Sequence, residues 1–146
     1  MKTAMLDIKF YFAASIRGGR GGAEIYAQFI ALLSAYGTVL TEHVGDSSVT
    51  EDGEEKTDQY IFERDCQWIQ EANVIVAEVS NPSHGVGFEI RLAESQGKRV
   101  ICFYRKNSEK KLSAMIAGNG YLTTIMYETI DDVKSFLDTQ FNVVTS

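Results

Sequence analysis

Two carboxylates and two glycine-rich loops are the residues of this chain whose types and spacing could do chemistry. Glu89 follows Gly85-Val86-Gly87-Phe88, shortly after the apolar run from Asn73 to Val79. Asp65 shares helical spacing with Ile61, Trp68, Ile69 and Ala72, which puts it on the apolar stripe of a helix. An unpaired buried carboxylate is costly, and two close together do not both ionise easily. Such a pair facing an anion-binding loop is equipped for acid–base and nucleophilic work on a phosphorylated sugar. Glycosidic chemistry divides the work in this way, one carboxyl as nucleophile or base and the other as acid. The plain alternative is two ordinary helix charges, with Glu89 in a first helical turn favoured by the helix dipole.

The first glycine-rich loop is Ser15-Ile16-Arg17-Gly18-Gly19-Arg20-Gly21-Gly22, and the second is Ser80-Asn81-Pro82-Ser83-His84-Gly85-Val86-Gly87. The first fits neither the Walker pattern nor Gly-x-Gly-x-x-Gly. Backbone N–H groups, a hydroxyl and a guanidinium ahead of a helix nonetheless suit a phosphate monoester. A flexible turn with solvated arginines is the competing reading.

The elements that must position these residues alternate between strand and helix. Strand signals cover Leu6–Ala14, Thr38–Val44, Asn73–Val79, Arg99–Tyr104 and Tyr121–Tyr127. Helical spacing covers Ala23–Tyr36, with Gly37 as its stop, and a long segment reaching Ala72 with Thr57 or Asp58 as its cap. Further helices are expected over Gly87–Gln96, ended by Gly97, and over Ile130–Phe141, with a short apolar segment at Leu112–Ala117. The sequence therefore predicts one α/β domain over residues 1–146, a three-layer sandwich around a five-stranded parallel sheet of flavodoxin-like or Rossmann-like order 2-1-3-4-5. In such a sheet the loops after strands one and three, the two glycine-rich ones, meet at the switch point where ligands bind.

Composition narrows the partners. A net charge of −6 over 146 residues disfavours a nucleic-acid backbone, yet leaves room for one anionic small molecule held by backbone N–H groups. No apolar run is long enough to cross a membrane. Cys66 and Cys102 read as a helix residue and a core strand residue rather than a disulfide framework. With no signal-peptide pattern, the expectation is a cytoplasmic protein, the nucleus also being open to it. His43 and His84 form no metal set with the cysteines, so no metal is expected. Tyr11, between Phe10 and Phe12, reads by itself as a core aromatic, and Trp68 as core rather than a base-stacking platform. Glu51-Asp52-Gly53-Glu54-Glu55 lacks calcium-loop spacing and reads as solvated.

Taken in order, several blocks carry a resemblance. They are Tyr11-Phe12 with Ser15-Ile16-Arg17-Gly18-Gly19-Arg20, then Gly37-Thr38-Val39-Leu40-Thr41-Glu42-His43-Val44, then Asp65 with Trp68. Val76-Ala77-Glu78-Val79, Pro82-Ser83 with Gly85-Val86-Gly87-Phe88-Glu89, and Leu112-Ser113-Ala114-Met115-Ile116 complete the set. The chain resembles the 2′-deoxynucleoside 5′-monophosphate N-glycosidases, the Rcl group of the nucleoside 2-deoxyribosyltransferase superfamily, from the first strand to about Gly118.

The resemblance implies cleavage of the bond between base and deoxyribose 5-phosphate without a cofactor, with modified pyrimidines such as 5-hydroxymethyl-dUMP among the substrates. It matches Glu89 to the nucleophile, Asp65 to the carboxyl that assists the leaving base, and Tyr11 to a tyrosine that places nucleophile and sugar. Ser15, Ile16, Arg17, Gly18, Ser83 and Gly85 match the 5′-phosphate site, with Ser113 reaching it from the neighbouring subunit of a homodimer. His43 and His84 fall in the base and sugar vicinity, and the segment from Gly45 to Lys56 departs from the family pattern. Deoxyribosyltransferases of the superfamily carry an aspartate where Ser83 stands. An aspartate repels a phosphate dianion, whereas a serine donates to it, so Ser83 favours a nucleotide over a nucleoside. A deoxyribosyltransferase, a CMP-type ribonucleotide glycosidase and a non-catalytic nucleotide-binding module are the alternatives. On the glycosidase reading, Glu89 is expected to be ionised in the free protein and Asp65 to sit above the usual carboxylate range.

Overall fold

The structure, a computed structural model, describes residues 7–15, 23–41 and 56–141. Five parallel strands, β1 (Ile8–Ala13), β2 (Gly37–Val39), β3 (Val74–Glu78), β4 (Arg99–Arg105) and β5 (Thr123–Tyr127), pair in the order β2-β1-β3-β4-β5. This is the expected order. The helices are α1 (Ala23–Ser34), α2 (Asp58–Glu71), α3 (His84–Ser95), α4 (Ala114–Ala117) and α5 (Ile130–Phe141).

Strand alternation sends side chains into two cores. Phe10, Phe12, Val74, Val76, Ile101 and Phe103 pack with α1 and α5. There Phe29 stacks on Phe12 at 5.3 Å and meets Phe103 edge-on at 5.3 Å, contacts worth about 0.5–1.5 kcal/mol each beyond their burial. Tyr11, Ala13, Ile75, Ala77, Val100 and Cys102 face the other way, against α2 and α3. Cys102 is therefore the core residue its sequence context predicts.

Local capping explains where the helices begin. Thr57 Oγ1 accepts the Tyr60 N–H at 3.1 Å, which settles the choice between Thr57 and Asp58 as the cap of α2. Ser83 Oγ accepts the Val86 N–H at 3.3 Å and starts α3 three residues earlier than the expected Gly87. Gly85 and Gly87 each weaken a helix, but the serine cap just ahead of them outweighs that preference. Gly97, at φ +72°, stops α3 as expected.

Gly37 is a correction. It is not the stop of α1, which ends at Ser34 and turns through Ala35 and Tyr36. Gly37 instead opens β2 opposite Ile8, where an added Cβ would lie 2.2 Å from the Ile8 carbonyl oxygen. Close approach of two backbones is what demands glycine here. Within the described residues β2 ends at Val39, and the outer part of the expected strand, from Glu42 to Val44, lies outside them. Thr41 Oγ1 continues the edge by accepting the Phe12 N–H at 2.8 Å and donating to the Phe12 carbonyl at 3.0 Å.

Gly37→Ala is predicted to destabilise the fold by about 2 kcal/mol or more, because backbone rather than a flexible side chain must move. Thermal unfolding checks this; an unchanged midpoint would refute the close-approach account.

Candidate active site

The loops after β1 and β3 do meet at the carboxyl edge of the sheet. Asn81 Nδ2 donates to Ser15 Oγ at 3.3 Å, and Ser15 is fully buried. Lys110, from the loop after β4, donates through Nζ to Asn81 Oδ1 at 3.3 Å and brings a cation to the same junction. Ile16, Arg17 and Gly18, the rest of the expected phosphate loop, lie outside the described residues, as does His43.

Tyr11 reaches from the middle of β1 to α3, where its hydroxyl donates to Glu89 Oε2. It is 2% exposed, as the core reading of this residue expects, and its hydroxyl still reaches the Glu89 carboxyl. Glu89 sits in the second turn of α3, not the first, because the helix starts at His84; the dipole of the first turn is therefore not what holds its charge. Glu89 is half-buried overall, yet its carboxyl is pushed up to about 8. Desolvation is the main cause, the Tyr11 hydrogen bond opposes it, the Asp65 charge adds to it and the Arg64 charge opposes it. The expectation of an ionised Glu89 in the free protein is thus corrected: near neutrality this carboxyl is mostly protonated. Burial and the same two carboxylates also hold the Tyr11 phenol well above its usual range.

Asp65 is close enough for its charge to be felt by Tyr11, Glu89 and Cys66. It is not the unpaired buried carboxylate that its stripe implied. Its side chain is 21% exposed, and Arg64 donates to Oδ1 from Nε at 2.9 Å and from Nη2 at 2.8 Å. Arg64 escaped the sequence reading. The available signal was Tyr60, Arg64 and Trp68 at four-residue steps, which stacks a guanidinium between two rings on one helix face.

Ser83, His84 and Ser113 fall together in a second place. A groove of about 570 Å³ runs between α3 and α4, lined among others by Ser83, His84, Arg91, Lys111, Ser113 and Asn119. It does not include Tyr11, Asp65 or Glu89, which gather on the α2 side of α3. Ser83 Oγ and Ser113 Oγ, which accepts the Met115 N–H at 3.2 Å, both cap helices as acceptors. A hydroxyl used in that way still has its O–H to donate to an anion. Gly85, two residues beyond the Ser83 cap, lies in the first turn of α3, where backbone N–H groups have no intrahelical acceptor. Among the described residues no group of histidine, cysteine or carboxylate side chains could hold a metal, and no helix is long and apolar enough to cross a membrane.

Residues 10–128 match the model of the nucleoside 2-deoxyribosyltransferase family. The chain belongs to that family. It is 42% identical over 139 residues to a 5-hydroxymethyl-dUMP N-hydrolase from Tetraodon nigroviridis, covering 92% of this chain and 98% of that one. It is 44% identical over 135 residues to the 5-hydroxymethyl-dUMP N-hydrolase of Rattus norvegicus, covering 90% and 83%. A solved 2-deoxyribosyltransferase from Bacillus psychrosaccharolyticus shares the fold at a TM-score of 0.64, with 16% identity over 94% of this chain and 98% of that one. Within this deoxyribosyltransferase fold, the Tyr11–Glu89–Asp65 cluster stands beside the carboxyl edge of the central strands, as open α/β sheets place their ligands.

The raised Glu89 carboxyl has a consequence for stability. An unfolded glutamate titrates near 4.5, whereas the folded one holds its proton to about 8. Between these values the unfolded chain binds fewer protons than the fold, so stability falls as pH rises through this window. Glu89→Gln removes that loss. Its unfolding midpoint is predicted to match that of the parent at pH 4–5 and to exceed it by several degrees near pH 8–9. A gap independent of pH in differential scanning calorimetry would refute the assignment.

Proposed function

We propose that this chain hydrolyses the N-glycosidic bond of 2′-deoxynucleoside 5′-monophosphates, 5-hydroxymethyl-dUMP among them, giving the free base and 2-deoxyribose 5-phosphate. The observation that carries the reading is Glu89, held by the Tyr11 hydroxyl beside Asp65, in a chain 42% identical over nearly its whole length to a 5-hydroxymethyl-dUMP N-hydrolase.

The proton inventory supports the assignment. Glycosyl transfer through an enzyme ester needs one ionised carboxylate to attack C1′ and one proton for the departing base. Before substrate binds, Glu89 carries that proton, next to an Asp65 charge. On substrate binding Glu89 passes the proton to Asp65. The Glu89 carboxylate then attacks C1′, the C1′–N bond breaks, and the base leaves with the proton from Asp65. Water next attacks C1′, gives a proton back to Asp65 and releases Glu89, so the anomeric configuration is retained. Tyr11 donates to Glu89 throughout and fixes which oxygen attacks. Ser15, Ser83, Gly85 and the loop residues Ile16, Arg17 and Gly18 receive the 5′-phosphate. In a homodimer, Ser113 from the neighbouring copy adds its O–H to that site. Met115, 83% exposed and two residues from Ser113, is an apolar side chain that a second copy would cover.

Base release from a panel of deoxynucleotides, ribonucleotides and nucleosides, followed by chromatography, tests the reading. Deoxynucleoside monophosphates are expected to react, and Glu89→Ala to lower kcat by about 10³-fold or more while still binding nucleotide. Release from free nucleosides with base exchange would instead make the chain a transferase. Ser83→Asp is predicted to raise KM for nucleotides by about 10-fold or more with less effect on kcat, because it sets a carboxylate against a phosphate. The active form carries one proton on the pair, so kcat/KM is predicted to be bell-shaped and to fall above about pH 8. A profile flat from mildly acidic pH to 9 would refute the shared-proton mechanism.

A further inference from the structure

The Arg64–Asp65 contact is not a consequence of helix geometry. Neighbouring positions on a helix point about 100° apart and do not face each other. Arg64 reaches its neighbour because its guanidinium is held against two rings. The guanidinium centre lies 4.6 Å from the Trp68 ring and 5.8 Å from the Tyr60 ring, one turn to either side. From there Nε and Nη2 both donate to Asp65 Oδ1, at 2.9 Å and 2.8 Å. The Arg64 side chain is only 15% exposed, so solvent screens the pair weakly. A planar guanidinium stacked on an indole and forked onto one carboxylate oxygen is a preorganised arrangement that a lysine reproduces in charge but not in shape.

Among the described residues, the titratable and charged groups around Glu89 are Tyr11 from β1 and Arg64, Asp65 and Cys66 from α2. Among these Arg64 is the one cation, and its charge is felt at both Tyr11 and Glu89. We infer that Arg64 is a positioning residue: it holds Asp65 as the charged member of the carboxyl pair and so sets the pH window in which the pair carries a single proton. Without that cation both protons of the pair would be held more tightly. The window would move upward, and at neutral pH more of the enzyme would carry two protons and lack a nucleophile. Asp65 would also lose the two N–H donors that Arg64 brings to Oδ1.

The inference rests on the proposed reaction only for its kinetic readout, so two measurements are needed. The first uses the substrate-free protein: ¹³C-carboxyl NMR titration of the pair, with the Glu89 signal identified by its loss in Glu89→Gln. Arg64→Gln is expected to shift the titration upward by on the order of one pH unit, and Arg64→Lys to restore most of that shift. The second is the kcat/KM profile, in which Arg64→Gln should move both limbs upward together. An unmoved titration in a folded Arg64→Gln overturns the inference. So does an equal shift in Arg64→Lys, which would assign the effect to ring packing rather than charge. If the parent protein hydrolyses no nucleotide, the proposed reaction fails while the titration still decides the role of Arg64. Circular dichroism of each variant separates these outcomes from misfolding.

Discussion

The geometry of the site hangs on a carboxylate that does no chemistry in the proposed reaction. Glu78, at the end of β3, is 2% exposed. A buried carboxylate is tolerated only when donors surround it, and here they come from separate parts of the chain. Oε1 accepts the Ser80 N–H at 2.8 Å, and Oε2 accepts the Ser80 hydroxyl at 2.8 Å together with the Tyr127 hydroxyl from β5. Ser80 Oγ in turn accepts the Arg105 N–H at 2.8 Å, and its carbonyl accepts the Ser108 hydroxyl at 3.2 Å. The carboxyl ends of β3, β4 and β5 are thereby knotted at one point. The two loops that leave this point carry Asn81 and Ser83 on one side and Lys110 and Ser113 on the other. Removing a single member would leave a buried acceptor without its donor, the expensive kind of loss.

From that point α3 acts as a ruler. Ser83 caps it and Glu89 lies six residues further on, about 9 Å along the helix axis at 1.5 Å per residue. A helix is stiff at this length. The Ser83 cap and the Glu89 carboxyl are therefore spaced by regular backbone rather than by a loop. Tyr11 then fixes the carboxyl end from the sheet, across 78 residues of sequence. The Glu89 carboxyl is held from both directions, by its helix and by the sheet, which is what near-attack positioning would require in the proposed reaction.

How much of this was legible in the sequence follows from what kind of force set each feature. Strand order and the presence and order of the helices were legible because hydrophobic period and parallel crossover rules are strong and local. Glu89 and Asp65 stood out because a charge in an apolar pattern is a cost that needs a reason. The start of α3 was misjudged because two glycines mask a helix that a serine cap enforces. Gly37 was misread because its constraint is a contact with Ile8, which chain neighbours do not reveal. Arg64 was passed over because a charged residue beside a charged residue on a helix reads as solvated. Only the ring on either side of it, and the way they fold it back, turns it toward the site.

The carboxyl pair also shows why the fold carries a cost that simpler sequences avoid. Glu89 loses hydration by burial, and Asp65 beside it makes ionisation harder still. Glutamine would relieve both costs and keep the Tyr11 hydrogen bond. What it could not do is exchange a proton or attack carbon. In the proposed reaction this cost falls on the atoms that need a labile proton. The surrounding groups limit its size without abolishing it: Tyr11 stabilises the Glu89 anion from the sheet, and Arg64 opposes the Asp65 field from α2. A stronger cation in direct contact with Glu89 would ionise it permanently and remove the proton from the pair. An indirect one, held one residue away on Asp65, biases the pair while leaving that proton available.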